Sequence, residues 1–244
     1  FDGTLPVGRV QTPTLRLVVE RDRAITSFVA LPFWTVFVVL HADGVEFEAR
    51  WQPPAAHCDD TGRCVDQVAA QQAARRLAAA RSVQVERVDV ERVTEGPPLP
   101  FDLGTLQEVC SAKLGLGAQE TLSVAQALYE THKATTYPRS DCGYLPESML
   151  DEVPRVLHAL AAADPPLGQR CKELDRTRRS RAWNSSKVTA HHGIIPTAVM
   201  IPLDQLSERE RAVYTLIRAR YLAQFLPHHE YLKTLVQLRS QADQ

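Results

Sequence analysis

The spacing of apolar residues changes character close to residue 95. Up to that point, short β-branched and aromatic runs alternate with polar residues, and the dipeptide Asp43-Gly44 separates two such runs. An Asp-Gly pair between alternating runs is typical of a β-hairpin turn. Beyond residue 95 the apolar residues recur every three or four positions, which indicates helices with one buried face. The pattern therefore predicts an α+β protein, with a β-rich part followed by a mainly helical part.

Local start and stop signals set the limits of the predicted elements. Thr12 before Pro13 favours a helix start, because threonine caps helices and proline fits the first turn. Ser207 and Glu210 have the spacing of a capping box. We predict helices at 13–27, 66–80, 102–115, 118–132, 154–163 and from 207 onward, with a glycine turn from Gly115 to Gly117 between the third and the fourth. Strands are predicted within 33–51 (a hairpin), 82–93 and 230–239, the last returning to the earlier sheet, and a loop is predicted at 163–181. The side chains of the last helix that are predicted to face inward, toward the core, are those of Val213, Leu216, Ile217, Tyr221 and Phe225.

The composition is that of an ordinary globular protein, with 44% hydrophobic and 23% charged residues in a chain of 244. This length predicts two or three subdomains. The longest apolar run is too short to span a bilayer and no signal peptide is recognisable, so we expect a cytoplasmic protein without membrane contact. Because the chain starts at Phe1, without an initiator methionine and inside a motif, we expect a piece of a longer protein.

The five cysteines are scattered and odd in number, which argues against a disulfide framework and predicts reduced thiols. Cys58 and Cys64 with His57 suggest a metal clip, but no second pair completes four ligands, and we reject that interpretation. The net charge of −1 neither requires nor excludes a nucleic acid, because local patches decide such binding. The basic run at residues 171–181 is interpreted as a solvated loop rather than a binding site.

The stretch "THKATTYPRSDCGYLPE", residues 131–147, contains the strongest candidate chemistry. Proline disfavours the α-region for the residue before it, so the chain is expected to be extended at Tyr137. Residues two apart in an extended segment point to the same side, which would bring Tyr137 and Arg139 together. An unperturbed phenol has a pKa of about 10 and needs nearby positive charge or a proton acceptor to act as a nucleophile. His132 and Lys133 add to the charge that Arg139 supplies.

A phosphodiester is the natural target of such a group. Arginine neutralises the non-bridging oxygens while charge moves from the phenolate to the leaving oxygen. A histidine could relay the proton or bind the phosphate, and "TAHHGIIP" supplies His191 and His192. On spacing alone, a tyrosine that only packs in a core remains the alternative.

Four segments resemble, in order and separation, those of type IA DNA topoisomerases, and within that family its bacterial topoisomerase III branch. They are "PVGRVQTPTLRLVVERDRAI", "PPLPFDLGTLQ", "AQETLSVAQALYETHKATTYPRSDCGYLPE" and "AHHGIIPTA". The resemblance implies a multi-domain type IA core, a β-rich arch with an inserted, mainly helical domain that carries the catalytic tyrosine. It places a fragment of the base domain at residues 1–31, the arch at 32–95 with 228–244, and the helical domain at 96–227.

The resemblance also implies roles for particular residues. Tyr137 would attack a single-stranded DNA phosphodiester and remain joined to the 5′ phosphate while a strand passes, before religation. Arg139 would contact the scissile phosphate, and His191 would lie beside the active site. The DNA contacts implied or expected from charge are Arg9 and Gln11 of the "GRVQ" segment, together with Lys133 and Lys187.

What the chain lacks relative to the family matters for the expected activity. The amino-terminal acidic domain with the catalytic glutamate and the Mg²⁺ ligands has no counterpart here, so no metal site is expected in this chain and the fragment alone is expected to be inactive. Thr189 stands where many relatives have aspartate, and Gly193 where alanine is usual, which removes an acid partner for His191. The expected state is a monomer bound to single-stranded DNA in the bacterial cytoplasm, on the nucleoid or a plasmid.

Two other classes of protein compete with this interpretation. A non-catalytic single-stranded DNA-binding module, from a truncated paralogue, would bind oligonucleotides without forming a covalent complex. A tyrosine recombinase or nuclease would need more catalytic arginines and histidines and a tyrosine near the end of the chain. Because Tyr137 lies in the middle of the chain, we rank the recombinase or nuclease lower.

Overall fold

The computed structural model describes residues 8–240, which form two compact units. Within this range, unit 1 comprises residues 8–89 and 235–240, and unit 2 comprises Val90–Thr234. Helices and strands are mixed, as the predicted α+β class requires. The three-part division expected from the family resemblance stays a prediction.

Unit 1 begins with a helix and a hairpin. Helix α1 spans Gln11–Thr26, close to the predicted 13–27, but the predicted cap at Thr12 is wrong, because Val10 is the N-cap residue and Thr12 lies inside the helix. None of the residues of α1 is buried in the described chain. Strands β1 (Phe37–Ala42) and β2 (Val45–Arg50) pair antiparallel, as predicted. The turn residues Asp43 and Gly44 have φ angles of 50° and 79°. A two-residue turn with both angles positive matches the right-handed twist of the strands, which is why Asp-Gly is favoured there.

Helix α2 spans Gln67–Ala79, as the alanine-rich stretch predicts. The Asp66 side chain accepts a hydrogen bond from the Ala69 backbone N–H and so caps the first turn. Ala70 and Ala73 are buried, so the helix packs through one narrow face. A long strand, β3, follows at Val83–Glu95.

The last strand, β4, spans His229–Ser240 and pairs with β3. The predicted return of the chain end to an earlier strand is therefore confirmed. The hairpin of β1 and β2 forms a separate sheet. The boundaries between the two units, after Asp89 and after Thr234, fall inside β3 and β4.

Unit 2 is mainly helical. Its helices are α3 (Leu103–Leu114), α4 (Ala118–Glu130), α5 (Val153–Ala163), α6 (Pro165–Lys172) and α7 (Glu208–Ala223). The predicted glycine turn between α3 and α4 begins at Gly115, whose φ of +68° favours a residue without a Cβ. The core includes the fully buried side chains of Phe101, Leu106, Leu128, Leu157, Ile194, Ile217, Tyr221 and Phe225.

The start and inward face of α7 agree with the prediction. Ser207 and Glu210 form a complete capping box, which satisfies backbone N–H groups in the first turn. Four of the five residues predicted to turn inward are buried, and Leu216 is partly buried against the same core. Burial raises the pKa of the core phenol of Tyr214 to about 12. That shift is the opposite of what a nucleophilic tyrosine needs.

The loop predicted at residues 163–181 is wrong in its first half, which forms helix α6. Asp164 accepts a hydrogen bond from Leu167 N–H at 3.3 Å and so caps the helix. The two prolines occupy the first turn, where a missing N–H costs nothing. Gly168 allows close packing against α5, because a Cβ there would lie 3.1 Å from the Ala161 oxygen. From residue 173 onward the basic run lies outside helices.

Candidate functional site

The segment carrying Tyr137 leaves helix α4 as expected. The helix ends at Glu130, and Lys133 adopts a φ of +53°, which turns the chain. Ala134 and Thr135 are then buried, and Thr135 forms an antiparallel bridge with Pro196. Tyr137 is 37% exposed, in contrast to the sealed core tyrosines. The alternative of a tyrosine that only packs in a core is therefore excluded for Tyr137.

Thr136 fastens this segment to the one that carries the histidines. Its Oγ1 donates to the Gly193 oxygen at 3.1 Å and accepts from Ile195 N–H at 3.0 Å. The Thr136 N–H donates to the Ile195 oxygen at 2.9 Å. Three hydrogen bonds from one residue fix the backbone next to Tyr137 against the backbone next to His191.

Two glycines allow these segments to pack closely against a third segment, which contains Pro100. The Gly193 N–H donates to the Tyr144 oxygen at 2.9 Å. A Cβ on Gly193 would lie 2.9 Å from Pro100 Cβ, and one on Gly143 would lie 2.9 Å from the Pro100 oxygen. Contacts this close do not occur, so the packing requires glycine at both positions as the backbone stands. Glycine at position 193 thus has a steric role.

The side chains of Tyr137 and His191 are in ring contact. Their ring centroids lie 4.5 Å apart with planes inclined by 42°. Tyr129 of α4 contacts the Tyr137 ring edge-on, with centroids 5.8 Å apart and planes at 83°. The Tyr137 ring is thus held by an imidazole and a second phenol while part of it remains exposed.

Arg139 lies in the same loop but not in the extended backbone that was expected. Residues 138 and 139 form a turn, so the argument from residues two apart in a strand does not apply. The exposed Arg139 guanidinium donates to Gln126 Oε1 of α4 at 3.4 Å. An amide contact of this length does not neutralise the guanidinium charge. Gln126 had no signal in the sequence beyond its place on α4.

His132 contacts a carboxylate of another helix. Its Nε2 lies 3.1 Å from Glu210 Oε1, and both side chains are largely buried. Burial by itself raises the pKa of the Glu210 carboxyl, but hydrogen bonds from Ser207 and His132 outweigh it and hold the pKa below its usual value. His132, which was expected to add charge near Tyr137, is thus paired with the Glu210 side chain at the start of α7.

Two lysine–tyrosine contacts place further cations in this unit. The Lys133 Nζ lies 5.8 Å from the centre of the Tyr129 ring, and the Lys187 Nζ lies 5.0 Å from that of Tyr144. These distances are typical of cation–π contacts. Because Tyr129 also contacts Tyr137, Lys133 belongs to the same cluster.

Thr189 has an acidic partner of its own. Its Oγ1 donates to Asp141 Oδ1 at 2.9 Å, which links the "AHH" and "PRSD" segments. His192 turns its Nδ1 to the Gly193 oxygen at 2.9 Å, a local contact. The sequence offered no indication of the pairing between Asp141 and Thr189.

Arg9 and Gln11 belong to unit 1, at the start of α1, whereas the other predicted site residues belong to unit 2. Arg9 is exposed, and Gln11 lies close to Gly8, where a Cβ would be 3.7 Å from Gln11 Oε1. The contribution of Arg9 and Gln11 to one site with Tyr137 stays a prediction.

Residues 8–240 contain no group of three or more histidine, cysteine, aspartate or glutamate side chains able to hold a metal ion. These residues thus offer no ligand set for Mg²⁺. Within the same range, no helix has the length and apolar character needed to cross a membrane.

Comparison with known proteins agrees with this arrangement. A family model described as DNA topoisomerase matches residues 1–244. The chain is 42% identical over 243 residues to DNA topoisomerase 3 of Salmonella typhimurium, and 39% identical over 251 residues to that of Haemophilus influenzae. Each match covers 98% of this chain, but only 37% and 38% of the respective relative.

A solved structure, that of full-length topoisomerase I from Thermotoga maritima, is 25% identical in sequence with a TM-score of 0.64. The match covers 99% of this chain and 37% of that protein. The chain thus spans little more than a third of the relatives it matches. Similarity over all of its residues, in sequence and in fold, shows that it belongs to the type IA DNA topoisomerase family, with topoisomerase III as the similar branch.

Proposed function

We propose that this chain supplies the tyrosine of a topoisomerase III-like enzyme that cuts one DNA strand, passes another through the gap and religates the cut. The observation that carries the proposal is the contact of Tyr137 with His191. A partly exposed phenol lies against an imidazole in a chain that matches the DNA topoisomerase family over its whole length. Relaxation and decatenation of DNA are the resulting activities.

The proposed reaction exchanges one phosphodiester for another. The Tyr137 oxygen attacks the phosphorus, a Tyr137 O–P bond forms, and the bond from phosphorus to the 3′ oxygen breaks. The phenolic proton is lost and the departing 3′ oxygen gains one, so the 5′ end stays joined to the protein and the other end carries a free hydroxyl. Religation reverses each step, and no energy source is consumed because the number of ester bonds is unchanged.

Arg139 and His191 have separate proposed roles. The guanidinium of Arg139 binds the non-bridging oxygens of the scissile phosphate, whose charge grows as the attack proceeds. Its long contact with the neutral Gln126 amide is readily exchanged for a phosphate. His191, in contact with the Tyr137 ring, relays the proton or binds the phosphate.

A single strand is the proposed substrate because unit 2 combines cations with partly exposed tyrosine rings. Lys133 over Tyr129 and Lys187 over Tyr144 offer the two features that bind unpaired nucleotides, a positive charge for the phosphate and an aromatic face for a base. Arg9 and Gln11 at the start of α1 are proposed as further contacts to the strand. Such contacts depend on salt and are nearly independent of sequence.

The test is covalent trapping of DNA on the full-length protein. An oligonucleotide labelled at its 3′ end should transfer the label to the wild-type protein when the reaction is stopped with denaturant. Tyr137→Phe should abolish transfer while keeping most of the binding. Tyr129→Phe, which removes a hydroxyl from the neighbouring ring, is the matched control and should retain transfer.

Either of two results would reject the proposal. Transfer by Tyr137→Phe would assign the nucleophile to another residue. Binding without transfer by the wild-type protein would favour the alternative of a non-catalytic single-stranded DNA-binding module. The proposal also includes dependence on Mg²⁺, a monomeric state, and a location in the bacterial cytoplasm with the nucleoid or plasmids. The roles proposed for Tyr137, Arg139 and His191 do not rely on these features.

A further inference from the structure

Cys58 and Cys64 lie directly opposite each other in a tight turn of unit 1 that precedes α2. They form an isolated antiparallel bridge. The backbone hydrogen bonds that flank the bridge run from Val65 N–H to the His57 oxygen and from Asp59 N–H to the Arg63 oxygen, each 2.9 Å long. Because the bonds flank the cysteines rather than join them, this is a non-hydrogen-bonded pair, in which opposing side chains approach most closely.

This kind of pair meets the geometric requirement of a disulfide. Opposite residues in it have Cα atoms roughly 4.5 Å apart, and disulfides span Cα separations of about 4.4–6.8 Å. Both cysteines are free thiols in the structure. Their Sγ atoms contact the oxygens of Pro54 and Asp66, each at 3.4 Å. Since thiols are weak donors, rotating both side chains toward each other gives up little.

The reduced turn is already ordered. Asp59 Oδ1 accepts from the N–H groups of Thr61 and Arg63 at 3.0 and 2.9 Å, and Gly62 takes the positive φ of 79° that the reversal needs. The Arg63 backbone N–H is the main cause of the lowered pKa of the Asp59 carboxyl. Small ordered turns hold their ends together, so the second thiol is presented to the first at high effective concentration.

We propose that Cys58 and Cys64 are a thiol–disulfide site that reacts with small disulfides such as oxidised glutathione. Cys58 is partly exposed and Cys64 is 1% exposed, which sets the order of events. The Cys58 thiolate attacks one sulfur of the oxidant and displaces one glutathione thiolate. The Cys64 thiolate then attacks Cys58 in the mixed disulfide and displaces the second. Two protons leave the protein, and its two lost electrons reduce the oxidant to two thiols.

The other three cysteines are not equivalent to this pair. Cys110, Cys142 and Cys171 are all buried, and burial raises the pKa of the Cys110 and Cys171 thiols. A raised pKa lowers the fraction of reactive thiolate. In the described part of the chain, no other bridge joins two cysteines. The oxidation is therefore specific for one pair.

A disulfide between Cys58 and Cys64 would stabilise the part of unit 1 where this turn contacts Trp34 and the start of α2. The Cys64 oxygen accepts a hydrogen bond from Trp34 N–H at 2.9 Å, and two residues later Asp66 caps α2 and contacts His57 Nδ1 at 2.8 Å. The disulfide also reduces the conformational freedom of the unfolded chain. The melting temperature of the oxidised protein should therefore be higher.

Trypsin provides a direct test. Cleavage after Arg50, Arg63 and Arg75 separates the cysteines into peptides 51–63 and 64–75. The native full-length protein is equilibrated with graded ratios of reduced and oxidised glutathione, alkylated, and digested without reductant. We expect the two peptides to appear joined, two hydrogens lighter than their sum, while Cys110, Cys142 and Cys171 remain alkylated.

Two variants keep the test decisive. Cys58→Ser should give no joined peptide and should leave Cys64 alkylated once the protein is denatured, and Cys64→Ser should stop at a mixed disulfide between Cys58 and glutathione. A circular dichroism melt of each reduced variant checks that it is folded. A stable mixed disulfide on the wild-type protein, joined peptides only after unfolding in urea, or a link between two chains would each overturn the proposal.

Discussion

The ring of Tyr137 lies 4.5 Å from the ring of His191, and the backbone beside each is joined through the side chain of Thr136. In the sequence, the segment with Tyr137 precedes helices α5 and α6, and the segment with His191 follows them. Their contact therefore depends on how well the two segments are fastened together. This dependence makes Thr136 a positioning residue whose effect on Tyr137 can be measured.

Thr136→Val should weaken both the fold and the proposed cleavage. The valine leaves Ile195 N–H without its side-chain acceptor, a loss of about 1–3 kcal/mol in the free energy of unfolding. It also loosens the segment next to Tyr137, so label transfer should slow in single-turnover assays at a temperature where both proteins are folded. Thr136→Ser keeps the hydroxyl and should restore both quantities. Equal transfer rates for the valine variant and wild type would remove the positioning role.

Arg139→Ala should slow formation of the covalent complex by about 100- to 1,000-fold, the usual loss when one preorganised donor to a developing charge is removed. The rate is measured with saturating oligonucleotide, so that weaker binding does not contribute. Gln126→Ala removes the present partner of the guanidinium and is the control, with little expected change. An unaltered rate in Arg139→Ala would show that the guanidinium does not act on the scissile phosphate.

Arg9→Ala should reduce the salt dependence of oligonucleotide binding by the full-length protein. Each phosphate contact to a single strand contributes about −0.7 to the slope of log affinity against log salt, so the slope should become shallower by about that amount. Arg16→Ala removes the same charge from helix α1, which Arg9 directly precedes, but Arg16 is paired with Glu20 at 2.6 Å. The Arg16 variant should keep the wild-type slope. If the Arg9 variant does so too, Arg9 does not contact the strand.

Glu210 should stabilise the protein most at neutral pH. Its folded-state pKa is lowered, so its contribution is complete above the unfolded pKa of about 4.3 and is lost as the pH falls through the lower folded value. Glu210→Gln should therefore destabilise the protein near neutral pH by about 1 kcal/mol, the usual size of a capping contact. The difference from wild type should shrink as the pH falls below the unfolded carboxyl pKa of about 4.3.

Urea unfolding of wild type and Glu210→Gln across this range measures the effect. Glu208→Gln is the matched control, because Glu208 lies in the same first turn of α7 but outside the capping box and the contact with His132. A difference for Glu210→Gln that stays constant from pH 7 to acid would contradict the assigned cause.

Local signals predicted the elements whose ends depend on neighbouring residues. The Asp43-Gly44 turn, the capping box of Ser207 and Glu210, and the glycine turn at Gly115 all form as expected. Each depends on backbone angles or caps that are set by residues within about four positions, so the local sequence reveals it directly. The error at α6 has the same origin, since two adjacent prolines were taken as a loop although Asp164 before them is a helix cap.

The sequence by itself determined the α+β class, the family, and the choice of Tyr137, Arg139 and His191 as candidates, because motifs and periodicity are carried by residues close together in the chain. Only the tertiary structure decided their neighbours. It placed His191 against Tyr137, Gln126 beside Arg139, and Glu210 on His132. The contacts of Tyr137 with His191 and of His132 with Glu210 join residues far apart in sequence. They follow from the packing of helices and glycine-lined loops, which no local pattern encodes.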